Sequence, residues 1–104
     1  MLILPIKKKW FDMILSGEKK EEYREIKPYY KTRFKNIHLL SRNDLASVWT
    51  EEIIFRNGYS VSSPTLTATV RLTIGKGRPE WGAEPGKDYY ILNIIEIKEK
   101  NGKL

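Results

Sequence analysis

At 104 residues the chain has room for one domain and no second core, so residues 1–104 read as a single unit. Its 40% hydrophobic and 31% charged residues exclude a disordered chain, and the lack of cysteine excludes a disulfide framework, a thiolate metal site and a thiol nucleophile. The net charge of +6, from 19 Lys and Arg against 13 Asp and Glu, favours a polyanionic partner over an acid-seeking surface of the opposite sign.

Met1–Pro5 is a short apolar run ending in proline, as a first strand would be. From Ile6 to Ser16 the apolar residues Ile6, Trp10, Phe11, Met13, Ile14 and Leu15 recur at helical spacing, with Lys7, Lys8, Lys9 and Asp12 off the stripe. Gly17 stands where a helix C-terminus is usually closed. Lys20–Ile26 reads as a strand with Glu22 and Arg24 on one face and Glu21, Tyr23 and Glu25 on the other. Pro28-Tyr29-Tyr30 opens a loop or helical turn reaching about Lys35.

Asn36–Leu40 and Val48–Arg56 are the next strand candidates, and Asn57-Gly58 is a turn signal after the second. Thr65–Ile74 is the clearest strand, with Leu66, Ala68, Val70, Leu72 and Ile74 alternating with polar residues. Gly75-Lys76-Gly77 reads as a hairpin bend opening a long Gly/Pro-rich loop that carries Trp81. Tyr89–Ile97 closes the chain as a strand apolar on both faces. One early helix and five or six strands predict an α+β chain built as a closed or nearly closed barrel, the helix packing Trp10 and Ile14 against strand residues such as Val70 or Ile95.

The positive charge is uneven. Residues 1–36 hold ten Lys and Arg against five Asp and Glu, a balance of +5, whereas residues 37–104 hold nine against eight. A basic first third is the electrostatic footprint of phosphate binding, with Lys7, Lys8 and Lys9 as its densest run. His38 alone cannot make a zinc site, and no metal or other cofactor is expected. No apolar run approaches the roughly 20 residues of a membrane span, and the N-terminus lacks a signal-peptide core, so a cytoplasmic location with no membrane partner is expected.

The richest polar segment is Gly17-Glu18-Lys19-Lys20-Glu21-Glu22-Tyr23-Arg24. It sets a cation, an acid and a fork-shaped donor at the rim of one surface. Arg24 can grip phosphate or a base edge, Lys19 adds a point charge, and Glu22 can accept from an exocyclic amine. Trp81, in its loop, is a candidate base-stacking ring. Arg56, Asn57 and Tyr59 sit at a turn that could join the same surface.

Gly17-x-Lys19-x-x-Glu22-x-Arg24, preceded by the helix Trp10–Ser16 and the strand Leu2–Pro5, resembles the opening of ASCH domains. Phe55-Arg56-Asn57-Gly58-Tyr59, Trp81-Gly82-Ala83-Glu84-Pro85-Gly86 and the closing strand extend the likeness, to a small bacterial or phage-type member, over essentially the whole chain. The resemblance implies a PUA-like β-barrel of five to six mostly antiparallel strands, with one N-terminal helix after the first strand. It also implies a basic cleft between that helix and the barrel that binds RNA, a nucleotide or a modified nucleoside.

Some small ASCH proteins are amidohydrolases that deacylate N4-acetylcytidine with a lysine, a threonine three residues later and a further glutamate. Lys19 matches the lysine, but Glu22 stands in the threonine's place, and Glu80 or Glu84 only approximates the later acid. On that alternative Lys19 and Glu22 are the catalytic pair, with Glu22 activating a water. A third alternative is a protein–protein adaptor presenting Tyr29, Tyr30 and Trp49.

Overall fold

Five strands and two helices are laid out along residues 1–102, the part that the structure, a computed structural model, describes. Strand β1 (Ile3–Ile6) leads into helix α1 (Lys8–Leu15), then β2 (Glu21–Glu25), α2 (Pro28–Asn36), β3 (Glu51–Asn57), β4 (Thr65–Lys76) and β5 (Asp88–Asn101). A single turn of 3-10 helix, Pro79–Trp81, sits in the β4–β5 connection. The fold is α+β, with all five strands in one mixed sheet of order β1-β3-β4-β5-β2.

Only β1 and β3 run parallel; β3–β4, β4–β5 and β5–β2 are antiparallel. No backbone ladder joins the edge strands β1 and β2, so the sheet is not closed as a hydrogen-bonded barrel. The two edges nevertheless meet, because Arg24 of β2 donates to the carbonyl oxygen of Pro5 in β1 at 3.0 Å. Curvature of this kind follows from the pairing of the long hairpin. Ala68 lies opposite Ile97 and Val70 opposite Ile94, which leaves Lys98 and Ile95 as extra residues on β5. Each bulge bends the strand and adds twist.

One core fills the concave side. Leu4, Ile6, Phe11, Ile14, Phe34, Ile53, Phe55, Leu66, Val70, Leu72, Tyr90 and Leu92 are buried together there. Leu66, Ala68, Val70 and Leu72 are buried as the alternation over Thr65–Ile74 predicts, but Thr67 is buried as well, and the pattern fails at Ile74, which is exposed near the strand end. Tyr89 and Ile91 pack on the outer face with Ala83 and Tyr23, so β5 is covered on both faces over Tyr89–Leu92. Further along, the bulge turns Ile95 outward, 58% exposed, beside a hollow that it lines together with Ile14 of α1. From α1, Phe11 and Ile14 face the core, while Trp10 is half-buried.

Three stretches differ from the expectation. Gly75 and Lys76, read as part of a bend, continue β4 and pair with Tyr89 and Asp88. Pro28–Asn36 is a full helix with proline in its first turn and one buried anchor, Phe34. Asn36–Leu40 is no strand: it is the end of α2 and a turn. His38 takes φ +66°, and the N–H groups of Leu39 and Leu40 both donate to the Phe34 carbonyl oxygen. That turn drives two successive leucines into the core, where a strand would have buried only one.

Candidate functional site

The polar segment after α1 folds inward. Gly17 adopts φ +85°, a left-handed closure that glycine adopts without strain, and the Lys19 N–H then donates to the Met13 carbonyl oxygen at 2.9 Å. This turn aims the Lys19 side chain beneath the sheet rim, where only 1% of the residue remains exposed. Its ammonium donates to the carbonyl oxygens of Glu21 and of Trp81, the latter at 2.7 Å, and pairs with Glu22 Oε1 at 3.2 Å. All three protons of the ammonium are thus used. The rings of Tyr23 and Trp10 lie 4.8 and 5.2 Å from it.

Glu22 and Arg24 share a face of β2, two residues apart, and Glu22 Oε2 accepts from Arg24 Nη2 at 2.7 Å. Glu22 therefore bridges two cations in a line Lys19–Glu22–Arg24. Arg24 also donates to Pro5 and, through Nη1, to the Tyr30 hydroxyl at 3.3 Å. Its Nε–H is buried without an acceptor, which leaves one Nη1 proton of the five donors for a ligand. Burial pulls the Lys19 pKa below its usual range, and the adjacent Glu22 carboxylate only partly restores it. For Arg24 burial acts in the same sense, but Glu22 and Tyr30 outweigh it and hold the guanidinium above its ordinary value.

A hollow of about 300 Å³ opens over this line. Pro5 and Ile6 of β1, Lys7, Lys8 and Trp10 at the start of α1, Glu22 and Arg24 of β2, and Gly58 and Tyr59 after β3 form its walls. It lies between the first helix and the sheet. Larger hollows exist, of about 470 Å³ around Lys35, His38 and Trp49, and of about 530 Å³ around Met1, Glu51 and Glu52. The second is acidic, and the first, though it carries Lys35 and Arg42, has no buried charge network beneath it as the smaller one does.

Of the residues read from the sequence, Lys7, Lys8, Glu22, Arg24 and Tyr59 come together at this hollow. Lys19 lies behind Glu22 rather than on the surface. Lys9 rests 4.7 Å from the Trp10 ring. Arg56 and Asn57 are taken up by β3, paired with Pro5 and Ile6 of β1. Trp81 contributes its backbone oxygen to Lys19, while its ring stacks beside Arg78 at 4.8 Å outside the hollow. Glu80 and Glu84 are exposed on the same loop and do not line the hollow.

The ring that does line it is Trp10, which the sequence pattern assigned to the core. The signal was present: Trp10 falls at the edge of the apolar stripe, flanked by three lysines. Among the adaptor candidates, Trp49 is 70% and Tyr29 53% exposed, but they line separate hollows and make no common patch. Among the described residues no three His, Asp or Glu side chains converge as metal ligands would, and no helix is long and apolar enough to cross a membrane. Compared with protein-family models, with curated proteins and with solved structures, the chain finds no match, and its function is read from its own residues.

Proposed function

We propose that the chain is an ASCH-type domain that binds RNA, a nucleotide or a modified nucleoside in the hollow between α1 and the sheet. One observation carries the reading: a buried cation–carboxylate–cation line underlies a hollow whose walls combine lysines with two aromatic rings. Phosphate is met by Lys7, Lys8 and the remaining Arg24 proton, a base by the faces of Tyr59 and Trp10, and an exocyclic amine by Glu22. A PUA-like barrel belongs to the same reading, with the Arg24–Pro5 bond acting as a side-chain latch between β1 and β2.

Binding is favoured over the amidohydrolase alternative by the state of Lys19. A catalytic lysine needs a proton or lone pair to exchange with substrate, and this one is buried with every donor engaged. Titration calorimetry with cytidine, cytidine monophosphate and N4-acetylcytidine tests the proposal. The expected result is saturable heat with at least one of them, weakened about tenfold by Tyr59→Ala. Titrations silent for all three, and for short RNA, reject it. Release of cytidine from N4-acetylcytidine would move the assignment to the enzyme.

A further inference from the structure

A second hollow, of about 280 Å³, adjoins the first. The two share Pro5, Arg24 and Tyr59 in their linings, so one groove passes Arg24 on both sides. The new half is lined by Arg24, Lys27, Tyr29, Tyr30, Arg33 and Tyr59, with apolar backing from β1 and no acidic residue. We infer that this groove takes successive nucleotides of a single-stranded polynucleotide, one against Lys7 and Trp10 and the next against Lys27, Tyr29 and Arg33, with Tyr59 on the wall between them. The inference rests on the binding reading above and specifies its ligand.

Three observations lead there. First, the chemistry repeats, because each half offers cations beside aromatic rings, which suits a ligand whose own unit of phosphate and base repeats. Second, three side chains of the new half, Arg33, Lys27 and Tyr59, keep charge or ring surface that the protein itself does not use up. The Arg33 guanidinium lies 3.4 Å from the Tyr29 ring centroid and donates to the Tyr29 carbonyl oxygen, yet enters no ion pair among the described residues. A guanidinium already held flat on a ring presents a stacking face and an N–H edge. The sole carboxylate near Lys27 among the described residues is Glu25 at a long 3.9 Å, which Lys87 approaches more closely at 3.3 Å, and its ammonium lies 5.6 Å from the Tyr30 ring. Tyr59 is 87% exposed and stacks on no ring or cation among the described residues. Third, each hollow alone is at the lower end of the roughly 300–1,000 Å³ of sites that enclose a small ligand. An acidic peptide would satisfy the cations but leave these flat faces unused.

Calorimetry comparing UMP, the dinucleotide UpU and a short oligo(U) decides the matter. UpU is expected to bind about tenfold tighter than UMP or more, from a second stacked base. Lys27→Gln and Arg33→Gln, made separately and checked for folding by circular dichroism, should each bring UpU back towards the affinity of UMP. Equal affinity for UMP and UpU overturns the inference while leaving the first hollow in place, as does a length gain that survives both substitutions. Silence towards every probe removes the underlying reading as well. Polyglutamate displacing oligo(U) at equal charge concentration also overturns it, giving the groove to acidic peptides. The deoxy dinucleotide separates the two sources that support it: weaker binding assigns RNA through its 2′-hydroxyl, and equal binding assigns any single strand.

Discussion

Lys19 holds its charge in a place nearly closed to water, and its three acceptors come from three residues, Glu21, Glu22 and Trp81. Replacing it by methionine keeps the volume but leaves two carbonyl oxygens and half of Glu22 without a donor. Breaking a buried pair from one side costs about 3–5 kcal/mol, and Arg24 still compensates Glu22, so Lys19→Met should cost about 3 kcal/mol in urea unfolding. A loss below about 1 kcal/mol would show that the ammonium is not integral to the fold. Arg24 is likewise more than a rim residue, since it ties β2 to Pro5 of β1 as well as to Glu22. The two-residue spacing of Glu22 and Arg24 made their common face legible in the sequence. The inward turn of Lys19 was not, because its decisive partner is a backbone oxygen 62 residues away. Trp81 misled for the same reason, as its backbone rather than its ring reaches the site.

At the scale of elements, α1 carries its lysines at the end where a helix least tolerates them. Lys8 and Lys9 stand in its first turn with no acid among the first residues, and only Asp12, one turn on, offsets Lys8. The helix dipole disfavours cations there by about 0.3–1 kcal/mol each, so stability alone does not account for the placement. The loop from Gly77 to Lys87, irregular in sequence, is pinned at several points. The Arg78 N–H donates to the Tyr23 hydroxyl, the Glu84 N–H donates to that of Tyr89, and Gly82 lies against Trp10. A Cβ on Gly77 would lie 2.6 Å from Tyr23, so Gly77→Ala should cost about 1–3 kcal/mol as an overpacked site.

Burial drives the Tyr23 pKa well above its usual 10.0, and the hydroxyl's bond to Glu21 adds to this against the opposing Arg78 N–H. A pKa raised on folding gives stability that is complete below about pH 10 and lost as pH rises beyond it, where the unfolded chain releases the proton first. Tyr23→Phe should therefore lower stability at neutral pH yet flatten its alkaline decline; parallel declines in urea titrations above that pH would refute the assignment. The hairpin β4–β5 was legible because its alternation is strong. Helix α2 was not, because one buried phenylalanine among polar residues gives almost no periodicity.

The whole molecule adds a basic first third to a sheet whose two edges are latched by one arginine, so its charge and its curvature meet at the same groove. Helix α1 and the strands β4 and β5 were readable from periodicity, whereas the approach of β1 to β2 depends on bulges in β5 that leave no mark in a two-residue pattern. The three lysines that open α1, equivalent in sequence, are unequal in space. Lys8 pairs with Asp12, and Lys9 lies over the Trp10 ring. Lys7 lines the hollow and enters no ion pair among the described residues. Each phosphate contact on a single strand contributes about 0.7 to the slope of log affinity against log salt. Lys7→Gln should lower that slope for oligo(U) by about 0.7, measured by calorimetry across a range of ionic strengths. Lys9→Gln should lower it by much less, because Lys9 itself does not line the hollow and its charge already rests on the Trp10 ring. An equal change for both lysines would mean that the affinity reflects diffuse net charge rather than contacts in the groove, since a diffuse field does not distinguish between neighbouring lysines.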